Sequence, residues 1–127
     1  MRPSGVLPRP WQIIEDEFTG HLSDVAVSEG VAIAVGSEGT ILRREDGPWQ
    51  AAENGTDAEL RAIWHDQKTG TWAAVGDRGT ALLSHDGLTW TAEQTGTGQS
   101  LWGIFGDHSG RIIAVGTGGI ILERTLQ

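Results

Sequence analysis

The chain has 127 residues, with nineteen glycines, six tryptophans, no tyrosine and no cysteine, and seventeen acidic against nine basic side chains give a net charge of −8. No stretch between glycines exceeds fourteen residues, which excludes long helices, since an interior glycine costs a helix about 1 kcal/mol. The missing cysteines exclude disulfides, thiolate metal sites and cysteine nucleophiles, and the acidic balance opposes nucleic acid and anionic membranes as partners.

Residues Met1 to Pro10 hold two arginines and three prolines but no apolar run, so they lack the hydrophobic region of a secretory signal and read as an extended arm. No window approaches the length of apolar sequence that a membrane-crossing helix needs. A cysteine-free chain of this kind suits a reducing compartment, and a cytoplasmic location is expected.

Internal repetition dominates the rest of the chain. Ala34-Val35-Gly36, Ala74-Val75-Gly76 and Ala114-Val115-Gly116 recur at a spacing of forty, with Gly30, Gly70 and Gly110 before them and Gly39, Gly79 and Gly119 after. A second ruler runs alongside: Trp11 to Leu22, Trp49 to Leu60 and Trp90 to Leu101 are each eleven residues apart. Taken in chain order, the elements begin with a strand at Trp11 to Phe18, equivalent to the last strand of a unit (strand d). A first unit of four strands a to d comes next over 22–59 and a second over 60–100, and the third, 101–127, has strands a to c only.

Strand a is expected at Leu22 to Val27, Leu60 to Trp64 and Leu101 to Phe105. Strand b ends at each Ala-Val-Gly, and Asp77-Arg78 between Gly76 and Gly79 reads as a tight hairpin in which the glycines supply positive φ. Strand c is expected at Thr80 to Leu83, then an Asp-Gly turn (Asp46-Gly47, Asp86-Gly87) and a strand d beginning near Trp49 or Trp90. Strand b is apolar on both faces, as in Val31-Ala32-Ile33-Ala34-Val35, so its sheet must be covered on both sides. Four antiparallel strands per forty residues, with both faces buried, point to an all-β fold of β-propeller blades, three per chain.

Three blades would have to turn by about 120° each to close a ring, beyond the usual four to eight blades. The expected solution is a homo-oligomer in which strand d of one chain completes the last blade of the next, a velcro closure between copies. Two chains give a six-bladed ring and three give nine. The homodimer is the expectation, with the homotrimer as the alternative and a fragment that packs on an unrelated partner as the remaining one.

From Ala74-Val75-Gly76 through Gly79-Thr80 and Leu82 to Ser84-His85-Asp86-Gly87-Leu88-Thr89-Trp90, the chain resembles the repeats of Asp-box propellers, especially photosystem II assembly factor-like proteins with bacterial AVGxxGT repeats. The resemblance spans residues 11 to 124, although Arg44 stands where Ser84 does in the first copy. It implies a propeller in which Asp46 and Asp86 bond turn amides and the recurring Trp11, Trp49 and Trp90 pack in the blade core. It says little about activity.

Ser84-His85-Asp86 has the letters of a hydrolase triad, but adjacent residues point apart and make no relay. His65, His85 and His108 fall in a–b or c–d connections beside Asp66, Asp86 and Asp107, yet at unequal places in their units, so they read as solvated turn residues and no metal or other cofactor is expected. The tryptophans that break the repeat are Trp64, which aligns with Ala26 and Phe105, Trp72, which aligns with Ala32 and Ile112, and Trp102, which aligns with Ser23 and Arg61. A residue that the shared fold does not demand is a better functional candidate, and Arg61 with Trp102 offers a cation and a π-face near the start of strand a. Asp77 and Arg78 belong to the polar b–c and d–a connections, which suit hydrogen bonding to a glycan or a basic peptide. The function expected is therefore a non-catalytic binding or scaffolding ring with a protein or carbohydrate ligand. The alternative is a hydrolase- or lyase-type enzyme with a site in the ring mouth.

Overall fold

The computed structural model describes residues 10–14 and 18–127. Among these the chain is all β, built as three antiparallel sheets in sequence order. The first sheet contains β1 (Leu22–Ser28), β2 (Val31–Gly36), β3 (Ile41–Arg44) and β4 (Gln50–Ala51). The second contains β5 (Leu60–Asp66), β6 (Thr71–Gly76), β7 (Ala81–Ser84) and β8 (Thr91–Glu93). The third contains β9 (Leu101–Gly106), β10 (Arg111–Gly116) and β11 (Ile121–Thr125). Each strand pairs with the next in the chain, so every sheet is a meander.

The b–c hairpin differs from its sequence reading. Gly36, Gly76 and Gly116 are extended, with φ of −172°, −169° and −171°, and the positive φ falls on Glu38, Arg78 and Gly118 and on the glycines after them. Gly76 is required for close approach instead: a Cβ there would lie 2.0 Å from the Glu59 carbonyl oxygen. The hairpins are short 3₁₀ turns in which Thr40, Thr80 and Ile120 donate their amides to the carbonyls of Ser37, Asp77 and Thr117.

The three sheets stack face to face, with β1 against β5 and β5 against β9. Between the first and second sheets lies the larger core, formed by Ile33, Val35, Ile41, Leu60, Ile63, Trp72, Ala74, Leu82 and Trp90. Between the second and third, Ala62, Val75, Leu101 and Ala114 form one cluster and Ala73, Ile112 and Leu126 another. Several side chains bind sheet to sheet by hydrogen bonds, among them Arg124 of β11, which donates from Nε and Nη2 to Glu93 of β8 at 2.9 and 2.8 Å. Asp24 Oδ2 accepts the Ile63 amide at 3.0 Å, Asp66 Oδ1 accepts the Gly110 amide at 3.1 Å, and Arg43 Nε donates to the Asp86 carbonyl at 3.0 Å.

Among the described residues, only the second sheet is covered on both faces, as the sequence of strand b demands. Leu60 is fully buried whereas its equivalent Leu22, facing away from the stack, is 50% exposed. Ile41 is 1% exposed whereas its equivalent Ile121 on the outer face of the third sheet is 69% exposed. The strand expected over Trp11 to Phe18 is not formed at 11–14 or 18, and 15–17 lie outside the described residues, as does the arm up to position 9. Trp11, expected in a blade core, is instead 89% exposed, and Trp49 is only half-buried. Trp49 lies on the outer side of the first sheet with Leu22, Ala34 and Leu42, where no described sheet stands opposite to cover it.

Candidate functional site

Strand a opens each sheet with the same irregularity. The pairing slips between Leu22 and Asp24, between Leu60 and Ala62, and opposite Val115 and Gly116, so Ser23, Arg61 and Trp102 occupy equivalent bulge positions. A bulge re-aims its side chain away from the pleat, and three different residues are presented at one edge of the stack. At this edge Arg61 donates from Nε to Asp77 Oδ1 at 2.5 Å and from Nη2 to Asp77 Oδ2 at 3.3 Å, and its Nη1 lies 3.4 Å from Glu59. The hydrogen bond from Arg61 holds the Asp77 carboxyl below its ordinary range and raises the guanidinium in turn. Arg61 is therefore a partner of Asp77 rather than the free cation its sequence suggested. Asp77 sits in the hairpin turn because the left-handed Arg78 and the close-approach Gly76 leave its carboxylate leaning over β5.

Arg78 reaches across to Asp57 at 2.8 Å, with both side chains exposed. Trp102 is 55% exposed at the neighbouring bulge. The edge thus assembles Glu59, Arg61, Asp77, Arg78 and Asp57 into a charged rim beside a solvent-facing indole. Other polar groups of this edge hold the fold: Asn54 Nδ2 donates to the Gly39 carbonyl at 2.8 Å, and Thr95 Oγ1 donates to the Gly79 carbonyl at 2.7 Å.

Trp64, a ligand-contact candidate on its sequence, is half-buried between the second and third sheets. Its ring lies 4.6 Å from that of Phe105 and stacks on His108 at 4.8 Å. It joins the cluster of Ala73, Ile112 and Leu126 there, and among the described residues its buried Nε1 has no hydrogen-bond partner.

The opposite edge carries His65, His85 and His108, while His21 lies beside the first b–c hairpin, bonded to Ser37. His65 lies inside β5, not in a connection as expected; its ring packs 4.4 Å from Trp72, and burial lowers its pKa despite the nearby Asp66. His85 Nδ1 lies 3.4 Å from Thr71 Oγ1. Among the described residues no three histidine or acidic side chains converge as a metal site would need. Ser84-His85-Asp86 serves the turn: the Gly87 amide donates to Ser84 Oγ at 2.7 Å, and the Leu88 and Thr89 amides donate to Asp86 Oδ1 at 2.9 and 2.8 Å. Trp90 Nε1 closes the turn on the Gly87 carbonyl at 3.0 Å. These amide donors, Thr89 first, keep Asp86 below the usual carboxylate range. Asp46 holds the equivalent place in the first sheet, exposed, with Arg44 in place of the serine.

Asp66 matters more than its sequence position suggests. It is fully buried, and burial alone would raise its pKa, but the amide and hydroxyl of Thr69 on Oδ2 and the Gly110 amide on Oδ1 together hold it low. The local signal is Asp66-Gln67-Lys68-Thr69-Gly70, an aspartate opening a turn with a hydroxyl three residues on.

No family model matches the chain, and no curated protein matches it in sequence. Among the described residues no helix is long and apolar enough to cross a membrane.

Proposed function

We propose that the chain is half of a β-propeller of the Asp-box, photosystem II assembly factor-like kind, which assembles head to tail as a homodimeric six-bladed ring and acts as a non-catalytic binding or scaffolding module. The observation that carries this reading is the mismatch between equivalent positions. Leu60 and Val75 of the second sheet are buried, while their equivalents Leu22 and Val115 at the two ends of the stack face solvent. Val25 and Val27 extend the exposed apolar surface on one side, and Phe105 and Ile121 on the other. Contiguous apolar faces of this kind mark interfaces. The two faces differ from one another, which makes the contact heterologous, and six blades, within the usual four to eight, let such a contact close as a cycle.

The ligand of such a ring, a protein or a glycan, meets the charged rim of Glu59, Arg61, Asp77 and Arg78 beside Trp102. An aromatic face flanked by fixed carboxylates and guanidinium groups suits a polar ligand with an apolar side. The ion pairs support binding over catalysis: Asp77 is held ionised by Arg61 and is a poor general acid. Light scattering tests the assembly, with a constant dimer mass expected from high to low micromolar concentration. A trimer mass would move the ring to nine blades, and a folded monomer would refute it. Glycan and peptide arrays beside a general hydrolase panel test the function, where turnover that survives purification favours the enzyme reading.

A further inference from the structure

A largely apolar cavity of about 140 Å³ lies between the second and third sheets, with the ion pair of Glu93 on β8 and Arg124 on β11 also in its lining. Its lining includes Ala73, Val75, Ala81 and Leu83 from the second sheet and Ile112, Ala114 and Leu122 from the third. One repeat earlier, the equivalents are Ile33, Val35, Ile41 and Arg43 on one side and Trp72, Ala74 and Leu82 on the other. Most of these form the core that encloses Trp90. The cavity is thus the socket of Trp90 repeated, without a tryptophan in it.

A second observation concerns the backbone. Gly39 and Gly79 both have positive φ, and a Cβ on either would collide with a carbonyl oxygen of the d–a connection, that of Thr56 at 2.0 Å or of Thr97 at 1.9 Å. Gly119 shares this conformation with a φ of +76°, yet nothing stands within 4 Å of its Cβ position. Among the described residues no segment passes there, although the glycine that admits one is present. Thr56 and Thr97 lie seven residues after Trp49 and Trp90, and seven residues after Trp11 lies Phe18.

We propose that residues Trp11 to Ile14 of a second copy of this chain form the fourth strand of the third sheet, with the indole of Trp11 in this cavity and the Phe18 carbonyl against Gly119. The assignment rests on the proposed ring and adds its register. Leu42 pairs with Ala51 and Leu82 with Ala92, two residues beyond the recurring tryptophan in each case. Leu122 therefore pairs with Ile13 of the second copy and Ile121 with Ile14. Trp11 and Ile13 share a face, as alternate residues of a strand do, and both turn toward the cavity. A second copy is required because Trp49 and Trp90 each belong to the sheet before the strand a that comes after them. Trp11 likewise belongs before β1, on the side of the stack away from the third sheet.

The test is a cysteine pair in a chain that has none. Ala52 donates its amide to the Ile41 carbonyl at 2.8 Å, so the neighbouring pair Leu42–Ala51 is of the non-hydrogen-bonded kind, where opposed side chains come closest. By equivalence Ile13→Cys with Leu122→Cys should oxidise to a dimer of doubled mass on non-reducing gels, whereas Ile13→Cys with Glu123→Cys, one residue out of register, should not. In the cysteine-free chain, Trp11→Ala should weaken the dimer about 100-fold or more, with Trp11→Phe recovering part of it. A dimer by light scattering that cross-links only out of register, or keeps its affinity in Trp11→Ala, overturns the socket and leaves the ring. A folded monomer overturns both. A disulfide formed within one chain would show the segment closing on its own third sheet, which also refutes the assignment.

Discussion

The second sheet and the two that flank it are built from one repeated pattern and meet different surroundings. Leu60 and Leu101 lie against a neighbouring sheet and are fully buried, while Leu22 has the same side chain at the same place in the repeat and is half-exposed. Burial in this chain is therefore set by what stands opposite each sheet, not by its own sequence, and the end faces keep the composition of an interior. Natural sequences are consistent across levels, so an interior composition facing water marks a surface made to be covered.

Removing residues 1 to 19 should have the largest effect on the contrast between inner and outer sheets. In the proposed ring this takes away the strand for the neighbour's third sheet, so both the dimer and cooperative unfolding should be lost, which light scattering and thermal melts by circular dichroism would show. Next in size, Leu60→Ala should cost about 3 kcal/mol in any assembly. Leu22→Ala should cost nearly as much in a ring but under about 1 kcal/mol if its face stays wet, so equal losses in denaturant unfolding support the closed ring. Asp66→Ala strands the Gly110 and Thr69 amides in a buried site and should cost about 3 kcal/mol.

The same carboxylate makes a pH prediction. Its pKa is lower in the folded chain than in the unfolded one, so its contribution is present in full above about pH 4, the unfolded value, and is lost as pH falls through the folded value. Thermal melts from pH 7 to pH 3 should fall steeply for the native chain and less so for Asp66→Asn. The smallest effect separates the second and third sheets most sharply. Gly79→Ala meets a carbonyl as well as an unfavourable φ, while Gly119→Ala in an isolated chain meets the φ alone, at about 1 kcal/mol. Equal destabilisation by the two would place a second chain beside Gly119.

The repeat is legible because forty-residue spacing fixes the strands, and the two rulers together place every sheet and its order. Boundaries shift by a residue or two, as with β7, which begins at Ala81 instead of Thr80. The site is less legible, for physical reasons. Arg61 and Asp77 are sixteen residues apart, and only the pairing of β5 with β6 brings them into contact. Trp64 breaks the repeat and so resembles a ligand contact, but its ring packs against Phe105 and His108 of the next repeat, neighbours that sequence spacing does not reveal. Asp66 looks like one more solvated turn residue beside a histidine because its partner Gly110 lies 44 residues away on the next sheet.

The meander order of every sheet also governs how the chain reaches its fold. Each strand pairs with the strand beside it in sequence, closed by a short turn, so no sheet waits for a distant segment of its own chain to arrive. Pairing of this kind is local and can form early, while the contacts between sheets, such as Asp24 with Ile63 and Asp66 with Gly110, join residues 39 and 44 apart in the chain. Stacking the sheets comes afterward, and in the proposed ring covering the two end faces takes an encounter between two copies. Refolding should therefore divide into a fast phase that ignores concentration and a slower one whose rate rises with it, the second set by how often two half-finished stacks collide.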